Sequence, residues 1–158
     1  MKSDLDKIMQ DRNLDVLLVL GDAEHNSPMY YLTGGGHVND ATLIKPRDKD
    51  ATLFCNDMER EEAAKTGLKT VVYSKYSLKE LRKEANNDMV LVAALRLKKM
   101  LTDCDVTSGR IGVYGQTDLS SSFSMLMAAQ KLMPDVEFVG ESAMDSVFLQ
   151  AMETKTED

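Results

Sequence analysis

From Leu14 to Leu20 every position except Asp15 is aliphatic, and Gly21 ends the run. So short and so uniformly apolar a stretch does not suit a surface element, and it predicts a central strand buried on both faces. Ahead of it, Leu5, Ile8 and Met9 share one helical face. Ser3-Asp4-Leu5-Asp6 has the Ser-x-x-Asp spacing of a capping box, which predicts a short helix over residues 4–12. Two β-rich runs, 41–45 and 51–55, flank the polar stretch Pro46-Arg47-Asp48-Lys49-Asp50 and predict an antiparallel hairpin.

The second half alternates. Asn56 or Asp57 caps a helix over 59–65, with acids early, Lys65 late and Gly67 as its stop. A strand follows over 70–73. Helical pattern returns over 78–85 and again over 89–101, with Asn86-Asn87-Asp88 interrupting and recapping. Residues 110–114 read as a strand. Thr117 or Asp118 caps a helix expected to turn Leu119, Phe123, Leu126 and Met127 inward, and Pro134 stops it. Residues 136–139 read as a sixth strand, and a last helix begins over 143–152. A hairpin followed by strand-helix-strand-helix-strand order predicts a single three-layer α/β domain. Its mixed sheet has about six strands, with helices on both faces.

Composition narrows the function classes. A chain of 158 residues with 43% apolar and 28% charged positions is long enough for a single core that buries about 70% of the unfolded surface. A net charge of -7 without a long cationic cluster argues against nucleic acid as a partner. The polar, acidic start Met1-Lys2-Ser3-Asp4 lacks the apolar core of a signal peptide, and no apolar run approaches the roughly 20 residues of a membrane span. The expected compartment is the cytoplasm, with Cys55 and Cys104 reduced and no membrane partner.

Candidate chemistry is sparse. Gly34-Gly35-Gly36 leads toward a strand rather than into a helix and lacks a following Gly-Lys-Ser/Thr, so it reads as a flexible bend between strands and not as a phosphate cradle. His25, His37, Cys55 and Cys104 lack the close-paired spacing of zinc ligands, and no metal site is expected. Asp15 heads the central strand as in two-metal nucleases, but the other acids sit in turns and first helical turns, where capping accounts for them. Met125, Met127 and Met133 at helical spacing read mainly as core filler.

The segment Tyr30-Tyr31-Leu32-Thr33-Gly34 follows the central run closely, with Asn26 a little upstream. It resembles the aromatic-Tyr-Leu-Thr/Ser-Gly motif of the creatinase, prolidase and Xaa-Pro aminopeptidase family. Arg110-Ile111-Gly112-Val113-Tyr114 and 133–139 are similar to two further family segments, and 149–158 to its interdomain helix. Two departures stand out. Gly35 replaces the usual aromatic after the first glycine, and Gln150 or Ala151 stands where an Arg is usual.

The resemblance implies a creatinase N-terminal-domain-like, ribonuclease H-like topology over 1–150. It implies that 151–158 begin the interdomain helix and that the catalytic domain lies outside this chain. That catalytic domain would hold a divalent metal pair (Mn, Co or Zn), so no catalytic or metal residue carries over to this chain. The implied parent is a metal-dependent Xaa-Pro peptidase of aminopeptidase P or prolidase type, acting on proline-containing peptides. The domain would contribute to homo-oligomerisation, and the loop Gly35, Gly36, His37, Val38 and Asn39 to the substrate entrance. Two alternatives stand beside this: a recognition module of a homologue that has lost catalysis, and a stand-alone α/β ligand-binding domain.

Overall fold

A computed structural model describes residues 2–156. In chain order the elements are α1 (Lys2–Asp11), β1 (Val16–Gly21), α2 (Ser27–Thr33), β2 (Ala41–Pro46), β3 (Thr52–Cys55) and α3 (Arg60–Ala64). Then come β4 (Lys69–Val72), α4 (Leu78–Glu84), α5 (Met89–Asp103), β5 (Gly109–Gln116), α6 (Leu119–Leu132), β6 (Val136–Val139) and α7 (Val147–Thr156).

The six strands form one mixed sheet in the order β4-β3-β2-β1-β5-β6. The apolar run does form a central strand. β1 is buried at all six positions, antiparallel to β2 (Val16 opposite Pro46) and parallel to β5 (Val16 opposite Ile111). Its side chains alternate between two cores, as the pleat requires. Val16, Leu18 and Leu20 pack with α4, α5 and α6, whereas Leu17 and Val19 pack with α1, α2, α3 and α7. This is the expected three-layer α/β arrangement.

Asp88 accepts from the amides of Val90 and Leu91 and restarts the helix, with Asn86 and Asn87 at positive φ before it. Asp118 caps α6 through the Ser121 amide. α1 already includes Lys2 and Ser3, earlier than expected, and the Ser3 side chain of the expected capping box lies outside the described residues. Asp6, from that same motif, pins the hairpin instead. Its Oδ1 accepts from Lys45 Nζ at 2.6 Å and from the Asp48 amide at 2.9 Å. Lys45 is only 3% exposed, a buried charge near the end of β2. Asp15 also joins elements: it accepts from the Arg110 amide at 2.8 Å and pairs with Arg47 at 3.3 Å.

Two expectations need correction. The last helix does not begin at 143, because Ala143–Asp145 form a 3-10 turn and α7 starts at Val147. On α6 only Leu126, of the four residues expected inside, packs on the core. Leu119, Phe123 and Met127 are 81%, 61% and 53% exposed. The inward face carries Ala129 instead, with Met125 and Ala128 packed against the core, where small side chains let α6 lie close to Ala94 of α5. The methionines divide accordingly: Met133 is buried, Met125 half-buried, and Met127 faces out.

Candidate functional site

Gly34-Gly35-Gly36 does not join two strands, as the sequence suggested, but follows a helix, α2, whose last turn is the Tyr30–Thr33 part of the motif. Buried Asn26 caps that helix, its Oδ1 accepting from the Met29 amide at 3.3 Å while its Nδ2 donates to the Leu20 carbonyl at 3.0 Å. Asn26 thereby ties the helix start to the end of β1. Pro28 sits in the first turn, where its missing N–H costs nothing. Asn26-Ser27-Pro28 was the sequence signal for this helix. The Thr33 hydroxyl donates to the Met29 carbonyl at 2.8 Å, and the Gly34 amide, at φ +76°, closes the helix on the Tyr30 carbonyl. Thr33 and Gly34 therefore have structural roles at the helix end.

Gly35 lies flat against Tyr30. It has φ +97°, and a Cβ there would stand 2.8 Å from the ring, so the missing aromatic at this position is replaced by close approach of the backbone. Tyr30 itself is 61% exposed, while Tyr31 meets Phe148 edge-on at 6.0 Å and Phe148 meets Tyr114 at 4.9 Å. Burial raises the Tyr31 hydroxyl above its ordinary pKa, with Asp4 adding to the effect. A cavity of about 700 Å³ opens between α2 and α7, lined by His25, Asn26, Tyr30, Tyr31, Gly34 and Met152. Leu32 packs against the α1/α7 core.

The loop that follows has two halves. Gly35, Gly36 and His37 form an arm, and the His37 side chain is exposed. The second half is fixed. Val38 is 1% exposed, and its carbonyl accepts from the Ala23 amide at 2.8 Å. Asn39 is clamped by Glu59, through its amide at 2.9 Å and its Nδ2 at 2.8 Å, and the Asp40 amide donates to Asp22. The carboxylates of Asp22 and Glu59 hold the base of the arm.

Among the described residues, no cluster of three or more His, Cys, Asp or Glu side chains could hold a metal. Cys55 belongs to the α1/α7 side of the sheet and Cys104 packs on the α4/α5 side, so the two thiols cannot meet. Burial raises both thiols above their ordinary pKa, which leaves them poor nucleophiles. His25 is exposed and lies 3.6 Å from the Glu24 carboxylate. A divalent metal pair does not fit the residues present here.

The sequence matches the Creatinase/Prolidase N-terminal domain over residues 2–145. The chain belongs to that family. No curated protein matches it. The family fold recurs in solved structures at low identity. A dipeptidase from Pyrococcus horikoshii superposes with a TM-score of 0.58 at 12% identity, over 97% of this chain and 36% of that one. An X-Pro aminopeptidase from Thermotoga maritima gives 0.58 at 13%, over 98% and 35%. The creatinase/prolidase N-terminal domain of an X-Pro dipeptidase from Streptococcus pyogenes gives 0.54 at 14%, over 89% and 94%. This chain thus spans about a third of the two longer proteins and nearly all of the isolated domain. Among the described residues no helix is long and apolar enough to cross a membrane.

Proposed function

We propose that this chain is the non-catalytic N-terminal domain of a metal-dependent Xaa-Pro peptidase of aminopeptidase P or prolidase type. The observation that supports it best is the family match, together with an X-Pro aminopeptidase of that fold about three times as long. In this reading the Mn, Co or Zn pair and its ligands lie in a following catalytic domain, the chain's first partner. The domain occupies 1–150, residues 151–158 lead out of it, and the whole protein is cytoplasmic. Two of those last residues, 157 and 158, lie outside the described residues.

The domain contributes association and substrate access. Self-association is supported by the outer face of α6, where Leu119, Phe123 and Met127 form a stripe on a helix whose one charged residue is Lys131. Interface cores are depleted of charge and enriched in aromatics and Met, and a charge-poor face lets two copies of a -7 chain meet without like-charge repulsion.

Access is assigned to the arm carrying His37, an exposed donor-acceptor on a glycine-rich segment anchored at both ends. In the full-length oligomer His37→Ala is expected to lower kcat/KM for Xaa-Pro peptides by up to about tenfold. That is the effect of losing one hydrogen bond of about 0.5–1.5 kcal/mol. Thermal stability and metal content should stay unchanged, because the His37 side chain is exposed. Steady-state kinetics with Ala-Pro and a longer Xaa-Pro peptide test this, and unchanged kinetics in an intact oligomer would return the arm to a solvated connection.

A further inference from the structure

β1 and β5 are parallel neighbours whose carboxyl ends turn to opposite faces of the sheet. β1 leads into α2 on the α1/α7 side, and β5 leads into α6 on the α4/α5 side. Two neighbouring strands that part in this way open a crevice at their carboxyl ends, the place where open α/β sheets take their ligands. The backbones approach closely there. Gly21 and Gly115 have φ +110° and +118°, and a Cβ on either would fall about 2 Å from the other strand's carbonyl oxygen. A cavity of about 190 Å³ occupies the α4/α5 side of this crevice.

The polar groups around that cavity are complementary in sign. Arg96 lies with its guanidinium 4.3 Å over the Tyr73 ring and forms no ion pair among the described residues, which leaves its N–H fork free. Tyr73 is locked beneath it: its hydroxyl donates to the Asp40 carbonyl at 2.9 Å and meets the Thr42 hydroxyl at 2.8 Å. Burial pushes the Tyr73 hydroxyl up to about 12, so it stays protonated and keeps that bond. Ser121 and Ser122 at the start of α6 face the cavity from the other wall, and Asp40 stands at its rim. Burial raises the Asp40 carboxyl, with Arg96 opposing.

We propose that this crevice binds a small α-amino acid. Its carboxylate lies on Arg96 and the Ser121 hydroxyl, and its ammonium on Asp40. The cavity of about 190 Å³ has room for a ligand the size of alanine, and charge restricts its class. A simple anion would meet Asp40 and the Asp118 cap in a chain of net charge -7, whereas a zwitterion satisfies both the cation and the carboxylate. The site is independent of the peptidase reading and lies on the other face of the sheet from the α2/α7 cavity.

Titration of the 15N-labelled chain with L-alanine tests it, with acetate, methylammonium and inorganic phosphate as separate probes. Saturable amide shifts confined to Gly21, Ala41, Arg96, Ser121 and Ser122 are expected, with a Kd on the order of 1 mM or tighter. Acetate and methylammonium should each bind at least tenfold more weakly, because each satisfies one end of the site. Arg96→Gln should weaken alanine binding at least tenfold with a native spectrum, and Asp40→Asn serves as the second variant should Arg96→Gln misfold. No saturable shift at roughly 20 mM alanine would overturn the proposal. So would acetate or phosphate binding as tightly as alanine, or unchanged binding in a folded variant.

Discussion

Asp6→Ala is expected to be the most damaging single substitution in the domain, costing about 3–5 kcal/mol. Lys45 Nζ is buried under α1, and its hydrogen bonds go to Asp6 Oδ1 and to the Pro46 carbonyl, both at 2.6 Å. Removing the carboxylate leaves an ammonium in an apolar setting with one neutral acceptor. The Asp48 amide in the hairpin turn loses its acceptor as well. Lys45→Met should cost clearly less, because Asp6 keeps the Asp48 amide and is the more exposed partner, at 17% against 4%. Urea melts of the two variants measure the difference. Equal losses, or a loss in Asp6→Ala no larger than the 0–1 kcal/mol of a surface pair, would contradict a buried ion pair at this place.

Leu17→Ala is the second large effect, expected at about 2–5 kcal/mol. Leu17 is fully buried in the middle of β1, between β2 and β5, so truncation opens a cavity that the two flanking strands cannot close. Lys49→Ala provides the comparison. Its side chain is 57% exposed, its pairing with Asp105 is 3.7 Å long, and its loss should stay within about 0.5 kcal/mol. Equal effects of Leu17→Ala and Lys49→Ala on the urea midpoint would displace β1 from the centre of the sheet.

How far the sequence reads depends on how unambiguous each segment's period is. β1 and the β2/β3 hairpin are legible because continuous aliphatic runs bounded by turn residues admit one reading. The restart at Asp88 is legible because a capping carboxylate is a local device. α2 is not read, since the glycines after Tyr30-Tyr31-Leu32-Thr33 draw attention from the Asn26 cap and Pro28 that start the helix. On α6 the stretch Phe123-Ser124-Met125-Leu126-Met127-Ala128-Ala129 is apolar nearly all round. Periodicity cannot choose its inward face, and close packing of α6 on α5 selects the alanines. Nothing in the local pattern signals the burial of Lys45, which comes with its tertiary contact to Asp6.

The candidate site divides in the same way. The Tyr30–Gly34 motif is visible as a sequence signature, but its role as a capped helix end over a cavity needs Tyr31, Phe148 and Met152 brought together from distant parts of the chain. The loop after it reads as a glycine-rich connection, and only the fold shows Val38 buried and Asn39 held by Glu59. Arg96, Tyr73 and Asp40 carry no spacing signal at all, because three separate elements supply them.

In the proposed function this chain supplies the frame and a following domain supplies the chemistry. The most direct measurement compares the purified 158-residue chain with its full-length parent in Mn-dependent hydrolysis of Ala-Pro and a longer Xaa-Pro peptide. Activation of water by a metal requires several convergent protein ligands. The expected result is turnover by the parent, abolished by chelation, and none by the chain alone. Metal-dependent turnover by the isolated chain, or a metal-loaded parent inert toward every Xaa-Pro peptide, would contradict it.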